Sequence, residues 1–184
     1  MSTKIELKAL TMLRSAELTH DMETKHLKEL AAIATEVNFA KDQIIYQKGS
    51  KGQALYLIEE GEVVIETDVP GQGLIVMNRL RPGQFFGWSS LFPFERKMGW
   101  TRAVRPTWVI AFNADRLRAL WHTDHELEYA IVRRAGRDMA NRIRATRQQL
   151  ADILVADDRD KNRFTQTVTH HETHNNRLLK EIND

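Results

Sequence analysis

The chain of 184 residues contains no cysteine, which excludes a disulfide framework, a thiolate metal site and a cysteine nucleophile. It also lacks any apolar run approaching the roughly 18 residues that a membrane-spanning helix needs. Met1 to Leu10 alternates charged and apolar residues and has no apolar core of the kind a secretory signal carries. Neither sign of charge predominates. Its 27 lysines and arginines against 25 aspartates and glutamates leave a net charge of +2, so the molecule as a whole is no polycation. With 42% hydrophobic and 28% charged residues, the composition is that of a water-soluble globular protein. The expected location is the cytoplasm, with no membrane partner.

What charge there is falls unevenly, for Arg133, Arg134, Arg137, Arg142, Arg144 and Arg147 crowd one segment. A solvated helix face is the preferred reading of that run, ahead of a phosphate-binding one. Four regions follow from the hydrophobic pattern. Residues 1–38 are expected to hold N-terminal helices. The helix-like pattern runs to Val37, with Leu27, Leu30, Ala31 and Ala34 at spacings of three and four, and Asp21 or Thr19 is a candidate cap for the second helix. Residues 39–123 change character. Short apolar runs such as Leu55-Tyr56-Leu57-Ile58, Val63-Val64-Ile65 and Trp108-Val109-Ile110-Ala111 alternate with glycine or proline turns, the pattern of a compact β-roll.

A short helix around Arg116 to Trp121 then leads to a long helix over residues 124–155. In it Val132, Gly136, Met139, Ile143, Thr146, Leu150 and Ile153 alternate at four and three, a two-position heptad seam. That seam predicts a parallel homodimer, while Leu127, Ile131 and Ala135, on another face, are expected to pack on the chain's own roll. Residues 156–184 form a polar tail. Its His170, His171 and His174 miss the zinc-protease spacing by one residue, and no metal site is expected there or elsewhere. No nucleophile–base–acid set is legible, so an enzyme is not expected.

The turn glycines and strands carry a resemblance. Gly49-x-x-Gly52, Leu55-Tyr56-Leu57-Ile58-x-x-Gly61-x-Val63, Leu80-x-Pro82-Gly83-x-Phe85-Phe86-Gly87 and Trp100-x-Arg102-Ala103 occur in order. In this order they resemble the cyclic-nucleotide-binding superfamily, in particular the sensor half of catabolite-activator-type bacterial regulators. The resemblance implies a fold that is mainly β with flanking helices, a double-stranded β-helix (jelly-roll) followed by a long dimerisation helix. It also implies a phosphate-binding cassette with a Glu after Phe-Gly for the ribose hydroxyl and an Arg before a small hydroxyl residue for the phosphate.

The cassette candidates here are Phe86, Gly87, Trp88, Ser89, Ser90, Arg96, Lys97 and Met98. Trp88 stands at the Glu position, Lys97 at the Arg position and Met98 at the hydroxyl position. Indole is only a donor, and lysine lacks the planar two-pronged grip of arginine. The resemblance therefore implies a cyclic nucleotide as ligand, and these two departures predict that it binds weakly or not at all. Two readings of Trp88 stand level: a core aromatic plugging the pocket, or a stacking platform for another ligand. Lys97 is read first as an exposed lysine and second as a phosphate ligand; Arg96 is a substitute for it, and Ser89 and Ser90 offer hydroxyls and amides to an anion. Thr146 matches a base-contacting threonine of the family's long helix, though as a seam residue it reads first as a tolerated small polar side chain.

Too few residues follow Ala156 for the family's winged helix-turn-helix, so sequence-specific DNA binding is not expected. The expected function is a stand-alone regulatory or sensor module, homodimeric and acting through a protein partner that the sequence does not identify. The alternatives are a ligand-free structural or assembly subunit and non-specific nucleic-acid binding through the Arg-rich helix.

Overall fold

The computed structural model describes residues 2–71, 73–92 and 95–152. Two helices open the chain, α1 (Ser2–Ser15) and α2 (Thr24–Ala32). Eight strands follow: β1 (Ala34–Phe39), β2 (Ile44–Tyr46), β3 (Ala54–Glu60), β4 (Val63–Val69), β5 (Gly73–Leu80), β6 (Phe85–Phe86), β7 (Trp100–Ala103) and β8 (Thr107–Asn113). A short 3-10 helix, Trp88–Leu91, interrupts them between β6 and β7. Helix α3 (Ala114–Thr123) follows β8, and helical residues 125–152 follow α3 as α4. The described chain divides between residues 140 and 141 into two compact units.

The strands make two antiparallel four-stranded sheets, ordered β1-β8-β3-β6 and β2-β7-β4-β5. The central strands of the first sheet are largely buried on both faces, which is why β3 and β8 read as nearly unbroken apolar runs rather than alternating ones, whereas the edge strand β1 has no buried residue. Leu55, Leu57, Phe85, Ile110 and Phe112 pack with helical residues in the larger core cluster. Ile58, Phe86 and Val109 join Val63 and Leu80 of the second sheet in a smaller one. Successive residues Phe85 and Phe86 serve different cores, as the period-two geometry of a strand requires.

The fold is the mainly β jelly-roll with flanking helices that the resemblance implies. Two local expectations are overturned. The helix-like pattern does not continue to Val37: β1 starts at Ala34 and pairs with β8 from Ala34↔Phe112 to Phe39↔Thr107. Thr35, Val37 and Phe39 are β-branched or aromatic residues that suit a strand, and the open edge of β8 supplies their backbone partners. Nor does Asp21 or Thr19 cap α2, whose N-cap is Glu23 without a side-chain bond. Thr19 instead donates its hydroxyl to the Leu13 carbonyl at 2.6 Å, and Asp21 accepts from Arg134 at 2.5 Å.

Leu127, Ile131 and Ala135 are buried in the larger core, as the second stripe on α4 predicts. Of the seam residues before residue 141, Val132 is half-buried, Gly136 is exposed, and Met139 packs partly against that same core. In residues 141–152, Ile143 and Leu150 are exposed and Thr146 is half-buried. Ile153 and the tail histidines lie outside the described residues. Among the described residues no helix is long and apolar enough to cross a membrane.

Candidate functional site

The site is built on the turn between β6 and the short helix. Gly83 has φ +85°, and its amide donates to the Ile58 carbonyl at 2.9 Å, locking the turn onto β3. The chain then enters β6, where Phe86 stacks on Tyr56 with ring centroids 4.8 Å apart. Gly87 follows at φ +94°, and a Cβ there would stand 2.7 Å from the Ala54 carbonyl oxygen. Both the conformation and the space demand glycine.

Beyond Gly87 the chain turns away from the roll interior. Trp88 is buried in the larger core beside Phe85, and its indole Nε1–H donates to Asp138 Oδ2 at 2.5 Å. Trp88 is thus part of the core but does not plug the pocket described below, whose lining does not include it. Ser90 is buried as well. Its amide donates to the Gly87 carbonyl and its backbone presses on Gly52, where a Cβ would meet Ser90 Cα at 2.6 Å. Ser90 Oγ has no hydrogen-bond partner, and Ser90 is not among the residues lining the pocket described below. Ser89 is half-buried.

Lys97 does the opposite of what was expected. It is 4% exposed, because its backbone pairs with the turn before β3: the Lys97 amide donates to the Ser50 carbonyl, and the Gly49 amide donates to that of Lys97. This pairing points Lys97 inward and its neighbours outward. Met98 is 86% exposed and Arg96 is exposed too, with the Arg96 guanidinium donating to the Gly49 carbonyl. Met98 is thus no pocket residue, and Arg96 stands at the surface. The Lys97 ammonium donates to the Gly87 carbonyl at 3.2 Å and lies 4.4 Å from the centre of the Tyr46 ring, within cation–π range. Burial without a carboxylate partner pushes its pKa down to about 8, as desolvation does to an ammonium.

The ammonium lines a pocket of about 240 Å³ shared with Tyr46, Ser50, Lys51, Gln53 and Tyr56. Burial pushes the Tyr56 phenol up, so it stays a neutral hydroxyl. None of the described lining residues is acidic. Arg102 is spent elsewhere, on Glu66 through two bonds and on Asp42 through a third. The arrangement offers cations, hydroxyls and an amide to a small anionic molecule. Tyr46, Gln53 and Tyr56 were not singled out from the sequence; Tyr46 ends β2, Tyr56 lies in β3 and Gln53 just precedes β3, and their meeting on one pocket wall is a tertiary effect that no local spacing carries.

The arginine run is not simply a solvated face. Arg134 is buried and held by Asp21 and the Ala130 carbonyl. Arg133 lies over the Tyr129 ring at 5.9 Å, and Arg144 donates to Asn141.

Residues 36–124 match the family described as cyclic nucleotide-binding domain. A CRP-like cAMP-activated global transcriptional regulator of Mycobacterium tuberculosis is 24% identical over 147 residues, covering 79% of this chain and 63% of that protein. The transcriptional regulator LdrP of Thermus thermophilus is 32% identical over 101 residues, 55% of this chain and 48% of that one. The chain thus spans less than two thirds of the length of either curated relative. Among solved structures, a putative cyclic nucleotide-binding protein from Geobacter metallireducens aligns with a TM-score of 0.65 at 24% identity, covering 73% of this chain and 98% of that one.

Proposed function

Because residues 36–124 match the cyclic nucleotide-binding domain family, we propose that this chain is a regulatory sensor module whose β-roll pocket takes a small anionic ligand. It acts as a homodimer on a protein partner, and its cassette is degenerate toward cyclic AMP and cyclic GMP. The observation that carries this reading is the buried Lys97 ammonium on the pocket wall, near Tyr46 and unopposed by any described lining carboxylate. Trp88, at the position where the resemblance implies the ribose-binding acid, is committed to Asp138 and leaves the ribose hydroxyls without that acceptor. The reading is non-catalytic. The wall offers ammonium groups and phenols but, among the described residues, neither imidazole nor carboxylate.

Calorimetric titration of the full chain with cyclic AMP and cyclic GMP tests it. Each lost hydrogen bond to a charged group costs about 1.5–3 kcal/mol, so both nucleotides bind roughly a hundredfold or more weaker than an intact cassette allows. Mass spectrometry of small molecules that co-purify with the protein identifies an anion that Lys97→Met releases. Submicromolar binding of either cyclic nucleotide refutes the degenerate cassette. A pocket that takes no anion at all leaves the structural-subunit reading, which the Lys97–Gly87 bond favours as a self-satisfied interior.

A further inference from the structure

A second cluster lies away from the pocket, where α2 meets the start of α4. His26 and Glu29 stand three residues apart and so share a face of α2. The His26 side chain is 6% exposed, yet its Nε2 has no hydrogen-bond partner, and neither has the buried Oε2 of Glu29. Buried polar atoms are rarely left this way. Asp124 completes the group. Its Oδ1 accepts the Leu127 amide at 3.0 Å as the cap of α4, which leaves Oδ2 directed at the cluster, 3.6 Å from His26 Nε2. One ligand atom from each of the three side chains lies within 4.8 Å of the others.

A cation already stands at the mouth of this group. The Lys25 ammonium is 2.5 Å from Asp124 Oδ2 and 4.0 Å from Glu29 Oε1, on a side chain that is 62% exposed. Contact with Lys25, followed by the Leu127 amide, holds the Asp124 carboxyl down to about 2. The ammonium shows that the position suits positive charge, but it makes no hydrogen bond with His26 Nε2. We propose that His26, Glu29 and Asp124 bind a zinc-class divalent cation, which displaces Lys25 into solvent and clips α2 to the first turn of α4. Imidazole nitrogen and carboxylate oxygen are both ligand types that zinc takes, and three such ligands leave a fourth position for water. Bonds of about 2.0–2.2 Å bring tetrahedral ligand atoms about 3.3–3.6 Å apart, closer than the 4.8 Å within which they lie here and reached by side-chain rotation. The clip is independent of the β-roll pocket.

Zinc titration of the full chain by calorimetry, after chelator treatment, tests the proposal. The background carries His170→Ala, His171→Ala and His174→Ala so that the tail cannot supply ligands. The expected result is one zinc ion bound, with a raised melting temperature. His26→Gln weakens binding by about tenfold or more, since even the loss of a group supporting a ligand costs about 10–100-fold. Lys25→Ala tightens it by removing the competing ammonium. Should His26→Gln fail to fold, Asp124→Asn retains a cap acceptor for Leu127 while losing a charged ligand, and weakens zinc binding in the same way. Zinc affinity indifferent to His26→Gln or Asp124→Asn, weakened by Lys25→Ala, or abolished in the tail-substituted background overturns the clip.

Discussion

A lysine ammonium held in a pocket without a carboxylate is a standing electrostatic cost, and Lys97 is such a lysine. Its pKa falls from 10.5 to about 8, so folding disfavours the charged form. The folded state is penalised fully below pH 8, and the penalty fades as pH rises from 8 toward 10.5, where the unfolded chain also loses its proton. Lys97→Met is therefore expected to stabilise the protein at pH 7 by about 1–3 kcal/mol. Its advantage should shrink at pH 9.5, measured as the difference in urea midpoints between variant and parent. A Lys97→Met protein no more stable than its parent at pH 7 would contradict the burial cost. The identities at this site were legible in the sequence, but their directions were not. Trp88 and Lys97 are the aligned departures from the cassette, yet the φ of +94° at Gly87 swings one outward to the helices. Pairing with Ser50, 47 residues away in sequence, turns the other inward. The first effect acts through the adjacent glycine, whose left-handed conformation is fixed by the Ala54 carbonyl close against it, and the second comes from a segment distant in the chain.

At the scale of elements, the Trp88–Asp138 bond joins the short helix after β6 to α4. Restoring the family's form, Trp88→Glu with Lys97→Arg, would place a carboxylate in an apolar core facing Asp138. Such an uncompensated buried charge costs about 3–5 kcal/mol, so the double variant is expected to lose stability without gaining cyclic AMP binding. Trp88→Phe, which keeps an aromatic ring beside Phe85 but loses the donor and part of the buried ring volume, is expected to cost at least about 1.5–3 kcal/mol. Urea unfolding and calorimetry on the same samples check both. A stable double variant that binds cyclic AMP tightly would show that Trp88 merely blocks an intact site. Element types followed local pattern where burial is one-sided: the Leu127, Ile131 and Ala135 stripe is where the helical period puts it. They escaped it at β1, because Ala34, Glu36 and Val37 also fit a helix and only the distant edge of β8 decides for a strand. The zinc cluster escaped for a similar reason, with ligands on α2 and at the start of α4 that no local spacing connects.

For the whole molecule, the proposed homodimer places the exposed Ile143 and Leu150, seven residues apart on one helix face, against a second copy. Ile143→Asp or Leu150→Asp is expected to yield a monomer with an unchanged melting profile for the β-roll, since neither side chain is buried in the isolated chain. Sedimentation at micromolar concentration reads the change, and a parent protein that sediments as a monomer defeats the dimer. The unopposed ammonium of Lys97 also has an evolutionary consequence. Gln53, on the same pocket wall, is one base change from glutamate. That exchange would give the ammonium a built-in counter-ion and leave an incoming anion with nothing to neutralise. A responsive receptor and a permanently self-liganded one are thus neighbours in sequence space, a single codon apart.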